Sequence, residues 1–302
     1  MINRLFKTAT FIASTSLILI ISGMAATLWL ESLPAFRHFG FLRFIGTADW
    51  NYAREVYGAL RPLAGTIIST LIALAAAVPV SLGTAIFLTE LCPYKLRAGI
   101  GVAIELLAAI PSIIYGMWGL FVFAPFLETW FQPLVGASLG RLPLLGFFFQ
   151  TRHAGGTNLF SAALVLAVMI MPFITSITRD AFRQVPSILK ESSYGLGSTK
   201  WETIREVILP YCKTTIAGGV IIAMGRALGE TMAVAYVVGN RHGALDSIFS
   251  PYNTITSVMA NEFNEAAGLQ MSSIFGLALV LFLANFLALA LAKYVLRAKS
   301  WS

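Results

Sequence analysis

The sequence predicts an all-α integral membrane protein, and two observations carry that prediction: the composition and the length of the apolar runs. Of the 302 residues, 57% are hydrophobic and only 12% are charged, and the mean hydropathy is +0.78. Soluble domains are about 45 to 50% apolar and about 25% charged. Six runs reach the length of about 20 mostly apolar residues that a helix needs to cross a bilayer.

The six predicted membrane helices cover residues 8–30, 63–89, 99–125, 159–178, 214–239 and 272–295. A transmembrane barrel would instead show alternating hydrophobicity in segments of about ten residues. The first run follows Arg4 and Lys7, so a cleaved signal sequence is an alternative, but the run is longer than a signal core of about 7 to 15 residues. We therefore divide the chain into an N-terminal helix with an external segment (1–62) and a five-helix core (63–302).

The positive charges predict the orientation of these helices. Short loops rich in Lys and Arg stay in the cytoplasm. With the N-terminus inside, every lysine of the sequence falls on the cytoplasmic side, and the C-terminus is cytoplasmic as well. The net charge of +7 is then a topology signal rather than a sign of nucleic-acid binding. The segment 241–268 is expected to be a partly helical external loop.

Arg226 and Glu230 are charged residues inside the fifth run, "GRALGETMAV". Four residues apart on one helix, they would share a face about one turn from each other. A lone charge at mid-bilayer costs roughly 2.5 to 3.5 kcal/mol, so such residues pair or face a wet cavity. Two hypotheses follow: a substrate pathway, or a structural ion pair that stabilises packing. Gly225 and Gly229 form a G-x-x-x-G pair, which allows close helix approach.

Glu105 is a further acid, within the third predicted helix. It either lines the same cavity or hydrogen-bonds to a neighbouring helix. Pro79, Pro111 and Pro172 also fall inside predicted helices, where they are either hinges or fixed kinks.

No catalytic or metal-binding constellation is visible in the sequence. Cys92 and Cys212 lack metal-ligand spacing, and the three histidines are scattered over predicted external loops. The sequence contains no glycine-rich nucleotide loop of the G-x-x-x-x-G-K-[ST] kind. We therefore expect neither an enzyme nor a bound cofactor, and we do not expect this chain to hydrolyse ATP by itself.

The longest cytoplasmic segment, 179–213, is predicted to form helix, glycine turn and helix. Pro186 and Ser187 suit a helix start, with the serine as the capping acceptor. Gly195 and Gly197 then interrupt the helix, and the following amphipathic stretch is predicted to end at Pro210.

This segment resembles the EAA loop of ABC importer permeases, E-A-A-x-x-x-G followed after nine residues by I-x-L-P. Serines replace both alanines and a valine replaces the isoleucine. The resemblance implies a short coupling helix that docks in a groove of a cytoplasmic ATPase; an ordinary interfacial amphipathic helix is the alternative. The matching residues are Glu191, Ser192, Ser193, Gly197, Val207, Leu209 and Pro210.

Other stretches resemble the phosphate-specific permeases of the Pst system, and more the PstC type than the PstA type. They are "AIFLTEL" (85–91), "ELLAAIPSIIYGMWGLFVFAP" (105–125), "GRALGETMAV" (225–234) and "TSVMANEF" (256–263). The resemblance implies a MetI-like permease core that pairs with a PstA-type second permease chain. It also implies two PstB-type ATPase chains, which use ATP and Mg²⁺, and a phosphate-loaded binding protein on the outer face.

In that setting Arg226 would attract an oxyanion, because its guanidinium offers a planar fork of donors and keeps its charge. Glu230 would accept the O–H of hydrogen phosphate, which sulfate lacks.

Two alternatives to a phosphate permease remain open. One is a related permease for another oxyanion such as sulfate or molybdate. The other is an ion-coupled secondary transporter, which would show inverted repeats; none is apparent.

Overall fold

The computed structural model describes residues 2–138 and 155–299, and within these ranges the chain is almost entirely helical. The only β contacts there are two isolated bridges. The helices are α1 (Ile2–Phe39), α2 (Phe41–Gly46), α3 (Leu60–Leu91), α4 (Tyr94–Ala109), α5 (Ser112–Ser138), α6 (Leu159–Arg183), α7 (Ser187–Gly195), α8 (Lys200–Leu228), α9 (Met232–Val237), α10 (Ile255–Glu262) and α11 (Gly268–Lys299).

Six of the described helices are long and apolar enough to cross a membrane, which confirms the predicted number. They are α1, α3, α5, α6, α8 and α11. Helix α10 confirms that the predicted external loop 241–268 is partly helical. The most apolar stretch of α1 has no buried residues and α1 packs mainly against α11, as expected for a helix that faces lipid.

The third predicted helix, 99–125, is wrong in its bounds, because the chain breaks between α4 and α5. Ile110 is extended (φ −64°, ψ 129°), the conformation that a following proline imposes on its neighbour, and Pro111 then precedes the first residue of α5. Pro79 and Pro172, in contrast, lie inside α3 and α6.

Helix α6 forms the centre of the bundle and is the most buried of the six spans. Its first turn is capped by Asn158, whose Oδ1 accepts a hydrogen bond from the Ser161 amide at 2.9 Å. Helix α3 packs along α6 through small residues such as Ala73 and Ala77. Small side chains permit this close approach, and the core cluster continues into α8 and α9.

Two smaller clusters define the ends of the bundle. One, at the end that carries the segment 184–199, contains Phe182, Ile204 and Ile208; we call this the loop end. The other contains Phe44 and Trp50 and joins α1, α2, α10 and α11; we call this the opposite end. Helix α3 runs from one end to the other.

Candidate functional site

The fifth span does not place Arg226 and Glu230 on one helical face, contrary to the prediction. Helix α8 ends at Leu228 and α9 begins at Met232, so Glu230 lies in the break between them. The Glu230 Oε1 accepts a hydrogen bond from the Ala233 amide at 3.3 Å, and its carbonyl accepts one from the Thr256 hydroxyl at 2.8 Å. Both contacts are compatible with a break in the helix. A side chain that hydrogen-bonds to the backbone amide of the next helix gives that amide an alternative to helical pairing.

Arg226 is exposed on this chain and takes part in none of the ion pairs of the described residues. It lies within electrostatic range of the buried Tyr115 of α5. The Tyr115 hydroxyl donates a hydrogen bond to the Leu107 carbonyl at 2.7 Å, across the break at Pro111. The guanidinium therefore stays near a discontinuous helix without a carboxylate partner of its own.

The two helix breaks are neighbours in the fold. Helix α9 packs against α5 at Gly116, where a Cβ would lie only 3.0 Å from the Ala233 Cα. Only glycine allows this approach. Membrane transporters place binding sites at discontinuous helices, because backbone groups freed at a break must line a cavity or be buried in protein. The pair of breaks marks this region as the candidate substrate pathway.

Gly225 and Gly229 do not act together within this chain. A Cβ on Gly225 would meet Leu289 of α11 at 3.5 Å, which is ordinary packing distance. Gly229 is exposed, and the nearest atoms to a Cβ there belong to its own helix. It lines a cleft of about 420 Å³ together with Met232 and Phe263. The role of the two glycines toward a second chain stays a prediction.

Glu105 is not buried; its side chain is 54% exposed on α4. Its Oε1 accepts a hydrogen bond from Arg179 Nη2 of α6 at 2.6 Å, the neighbouring-helix contact that was one of the two alternatives. Arg179 is 6% exposed and also contacts Asp180 at 3.2 Å. Gly101 makes room, since a Cβ there would lie 2.8 Å from Arg179 Nη1. Sequence reasoning assigned Arg179 to a loop, although an acid in an apolar run signals a cation nearby.

The predicted helix, glycine turn and helix of 179–213 are confirmed. Helix α7 ends at Gly195, and Gly197 takes the left-handed φ of +92° that favours glycine. Helix α8 opens on a capping box in which Thr199 accepts from the Glu202 amide and Glu202 accepts from the Thr199 amide. The expected cap by Ser187 is wrong, because Pro186 occupies the cap position and Ser187 is the first helical residue.

Pro210 does not end its helix, contrary to the prediction. It lies in the first turn after a π-helical turn, Ile204–Ile208, and α8 continues to Leu228. A proline ring clashes with the carbonyl four residues earlier, here that of Glu206. Glu206 belongs to the wider π turn, which moves its carbonyl away from the ring and lets the helix run on.

The residues that resemble the EAA loop divide between an exposed and a buried side. Glu191 and Ser192 are exposed, whereas Ser193 is buried and its Oγ lies 3.0 Å from the Thr203 Oγ1 of α8. Around them large apolar side chains are exposed, with Ile188 at 65% and Leu196 at 89%. The remaining positions are Gly197 and Pro210, both exposed, and Val207 and Leu209, both half-buried. An exposed apolar patch of this kind is typical of a docking surface.

A polar cluster at the opposite end, which sequence reasoning missed, centres on Glu262. Its carboxylate accepts hydrogen bonds from Trp50 Nε1, Gln270 Nε2 and His242 Nε2, each at 2.9 Å. Asn253 Nδ2 lies 2.7 Å from the other ring nitrogen of His242. Burial raises the pKa of the Glu262 carboxyl, but the hydrogen bonds outweigh it and the pKa is lowered from its usual value. The donors come from three separate segments, and Trp50 is 212 residues from Glu262 in the sequence, so no local sequence pattern indicated the cluster.

The family model for the inner membrane component of binding-protein-dependent transport systems matches residues 84–300. The phosphate transport system permease protein PstC of Mesorhizobium japonicum is 50% identical, covering 97% of this chain and 90% of its own. The PstC protein of Pasteurella multocida is 48% identical, with coverages of 98% and 92%. That of Haemophilus influenzae is 46% identical, with coverages of 98% and 93%.

Solved structures share the fold at low sequence identity. A chain of a bacterial alginate ABC transporter, in complex with an alginate pentasaccharide-bound periplasmic protein, aligns with a TM-score of 0.60 and 15% identity over 95% of this chain and 94% of that one. An inward-facing MetNI methionine ABC transporter aligns with a TM-score of 0.56 and 17% identity over 80% and 95%.

These matches identify a multi-pass inner-membrane transport subunit, not an enzyme. The chain belongs to the family of binding-protein-dependent transport system inner membrane components, and within it to the PstC permease proteins of phosphate transport systems.

Proposed function

We propose that this chain forms, with a second permease chain of the PstA type, the translocation pathway of an ATP-driven importer of inorganic phosphate. Arg226 is the observation that carries the proposal. It is an exposed guanidinium without an ion-pair partner in the described residues, beside the two helix breaks of a chain that is similar to PstC proteins over nearly its whole length.

Arg226 suits a phosphate oxyanion better than a lysine would. Its planar fork can donate to two oxygens at once, and its charge survives desolvation. A guanidinium already held by a carboxylate would bind an anion less strongly, so the absence of a bond to Glu230 leaves its donors available. Transport requires that the anion also leave, and a single arginine provides a weaker site than a cluster would.

Glu230 is proposed as the group that distinguishes hydrogen phosphate from sulfate. Its Oε1 caps Ala233, while its Oε2 accepts no hydrogen bond within the described residues. This free oxygen can accept the O–H of hydrogen phosphate, and it repels sulfate, which has no proton to donate. Glu105 stays outside the proposed pathway because Arg179 engages its carboxylate.

Each proposed partner is assigned to one exposed surface of this chain. The exposed face of α7, with Glu191, Ser192 and Ile188, is proposed to dock on a PstB-type ATPase. The two ATPase chains would supply ATP and Mg²⁺ chemistry, so this chain needs no cofactor. The loop end and both termini would then be cytoplasmic, and the opposite end would receive the phosphate-binding protein. No nucleic acid is involved.

The test is uptake of labelled phosphate by cells that lack this chain and carry the wild type, Arg226→Ala, or the control Lys95→Ala. Lys95 is an exposed lysine of α4 that joins none of the ion pairs of the described residues. We expect wild type and control to restore uptake that excess sulfate does not compete, and Arg226→Ala to lower it by about 100-fold, the effect of losing one positioned charge-assisted donor.

Each result decides a different part of the proposal. Normal uptake by Arg226→Ala, present in the membrane at equal amount, would remove Arg226 from the pathway. Competition by sulfate would favour an importer of broader oxyanion range. No restored uptake with the wild type would contradict phosphate as the substrate.

A further inference from the structure

Helix α7 is attached to the bundle through only a small part of its surface. Most of its residues are exposed, and its main backbone neighbour is the start of α8. Two side chains face the bundle, Lys190 and Ser193. They are three residues apart, so they lie on one face of the helix, opposite the exposed docking side.

The two inward side chains contact different membrane spans. Ser193 shares a buried hydrogen bond of 3.0 Å with Thr203 of α8. Lys190 donates a hydrogen bond of 2.7 Å from its Nζ to Glu90 Oε1, in the π turn that ends α3. Within the described residues this is the only polar side-chain contact between α7 and α3.

The pair Lys190–Glu90 is shielded from water on both sides. The lysine side chain is 23% exposed and that of the glutamate is 14% exposed. Salt screens such a pair much less than a surface pair, and a short charge-assisted bond holds its two groups in one geometry. Because α3 packs along the central helix α6, Glu90 connects α7 to a helix of the bundle core.

We propose that Lys190 and Glu90 are positioning residues that fasten the coupling helix α7 to α3. Movement of a docked ATPase then shifts α3 directly, in addition to α8. This inference rests on the proposed function. The pair touches neither the substrate nor ATP, so its loss leaves ATP hydrolysis without the binding protein intact. It weakens both the stimulation of hydrolysis by the binding protein and the link between hydrolysis and transport.

The experiment uses the whole importer in proteoliposomes, with its ATPase and loaded binding protein. The variants are Lys190→Met, Glu90→Gln and the charge swap Lys190→Glu with Glu90→Lys. The control is Lys95→Met, an exposed lysine of α4 at the same end that joins none of the ion pairs of the described residues. Two ratios are measured: phosphate taken up per ATP hydrolysed, and ATP hydrolysis with and without the binding protein.

We expect each single variant to lower both ratios by about tenfold, the factor that corresponds to losing a charge-assisted hydrogen bond. The charge swap should recover most of the loss, and Lys95→Met should match the wild type. The amount of ATPase that copurifies should be unchanged, which separates lost coupling from lost docking.

Single variants with wild-type ratios would overturn the inference, and so would a charge swap no better than the single variants. A drop in copurified ATPase alone would place Lys190 in the docking surface instead and also overturn it. Wild-type vesicles that take up no phosphate contradict the proposed function; the pair is then judged by the ATP-hydrolysis ratio.

Discussion

Arg179 and Arg226 are both arginines in membrane-spanning helices, and their surroundings differ in almost every respect. Arg179 is 6% exposed and holds Glu105 at 2.6 Å and Asp180 at 3.2 Å. Arg226 is exposed, and no carboxylate pairs with it in the described residues. The first arginine joins α4 to α6, whereas the second lies beside two helix breaks.

The difference shows how a chain in a membrane separates structural from functional charge. A buried charge must be paired, because an unpaired one costs several kcal/mol, and the pair then fixes two helices. A charge without a partner in its own chain needs water, a second chain or an anion. Arg226 meets that condition, which is why it and not Arg179 is proposed to meet the substrate.

The distinction between a structural Arg179 and a functional Arg226 is wrong if the two arginines contribute equally to stability. We expect Arg179→Met to lower the free energy of unfolding by about 2 kcal/mol, because it removes three charge-assisted hydrogen bonds while Glu105 and Asp180 remain partly hydrated. Arg226→Met should change it by less than about 0.5 kcal/mol, as for exposed sites without partners. The measurement is thermal unfolding of the purified protein in detergent.

Equal losses of unfolding free energy in Arg179→Met and Arg226→Met would contradict the assignment of a structural role to Arg179 alone. A large loss for Arg226→Met would mean that Arg226 has a structural partner, and a negligible loss for Arg179→Met would mean that the contact with Glu105 does not fix α4 to α6.

Sequence reasoning reached the number of spans and the helix–turn–helix of the coupling segment, because both are encoded locally. Runs of apolar residues determine spans, and Gly195 and Gly197 signal the turn. It missed the break at residues 229–231, since nothing in "GRALGETMAV" shows that Glu230 will cap Ala233. It also missed partners that are remote in sequence, such as Arg179 for Glu105 and Trp50 for Glu262, which only the packing of distant segments brings together.

Glu262 is the carboxylate that corresponds to Arg179, because its charge is satisfied by hydrogen bonds from three donors. We expect Glu262→Gln to lower stability by about 1 kcal/mol at neutral pH, since the amide oxygen can still accept some of these bonds. Because the pKa of Glu262 is lowered in the folded chain, its stabilisation is present above the unfolded pKa, about 4.3, and is lost as the pH falls through the folded value.

The melting temperatures of wild type and Glu262→Gln should therefore converge as the pH falls below about 4.3. Glu265→Gln is the matched control, because Glu265 is exposed and three residues away. If the difference in melting temperature between wild type and Glu262→Gln stayed constant over this pH range, the carboxylate charge would not contribute to stability.

Substitutions of Glu230 have the smallest expected effect on stability. They also separate its role as a helix cap from its proposed role in the substrate pathway. Glu230→Ala removes the side chain that accepts from the Ala233 amide at 3.3 Å, and should lower stability by about 0.5 kcal/mol, the lower limit for a lost cap. Glu230→Gln keeps an oxygen acceptor, so its stability should match the wild type while its preference for phosphate over sulfate falls. Unchanged preference in Glu230→Gln would leave Glu230 with the capping role alone, and Arg226 would then have to discriminate between the two anions without it.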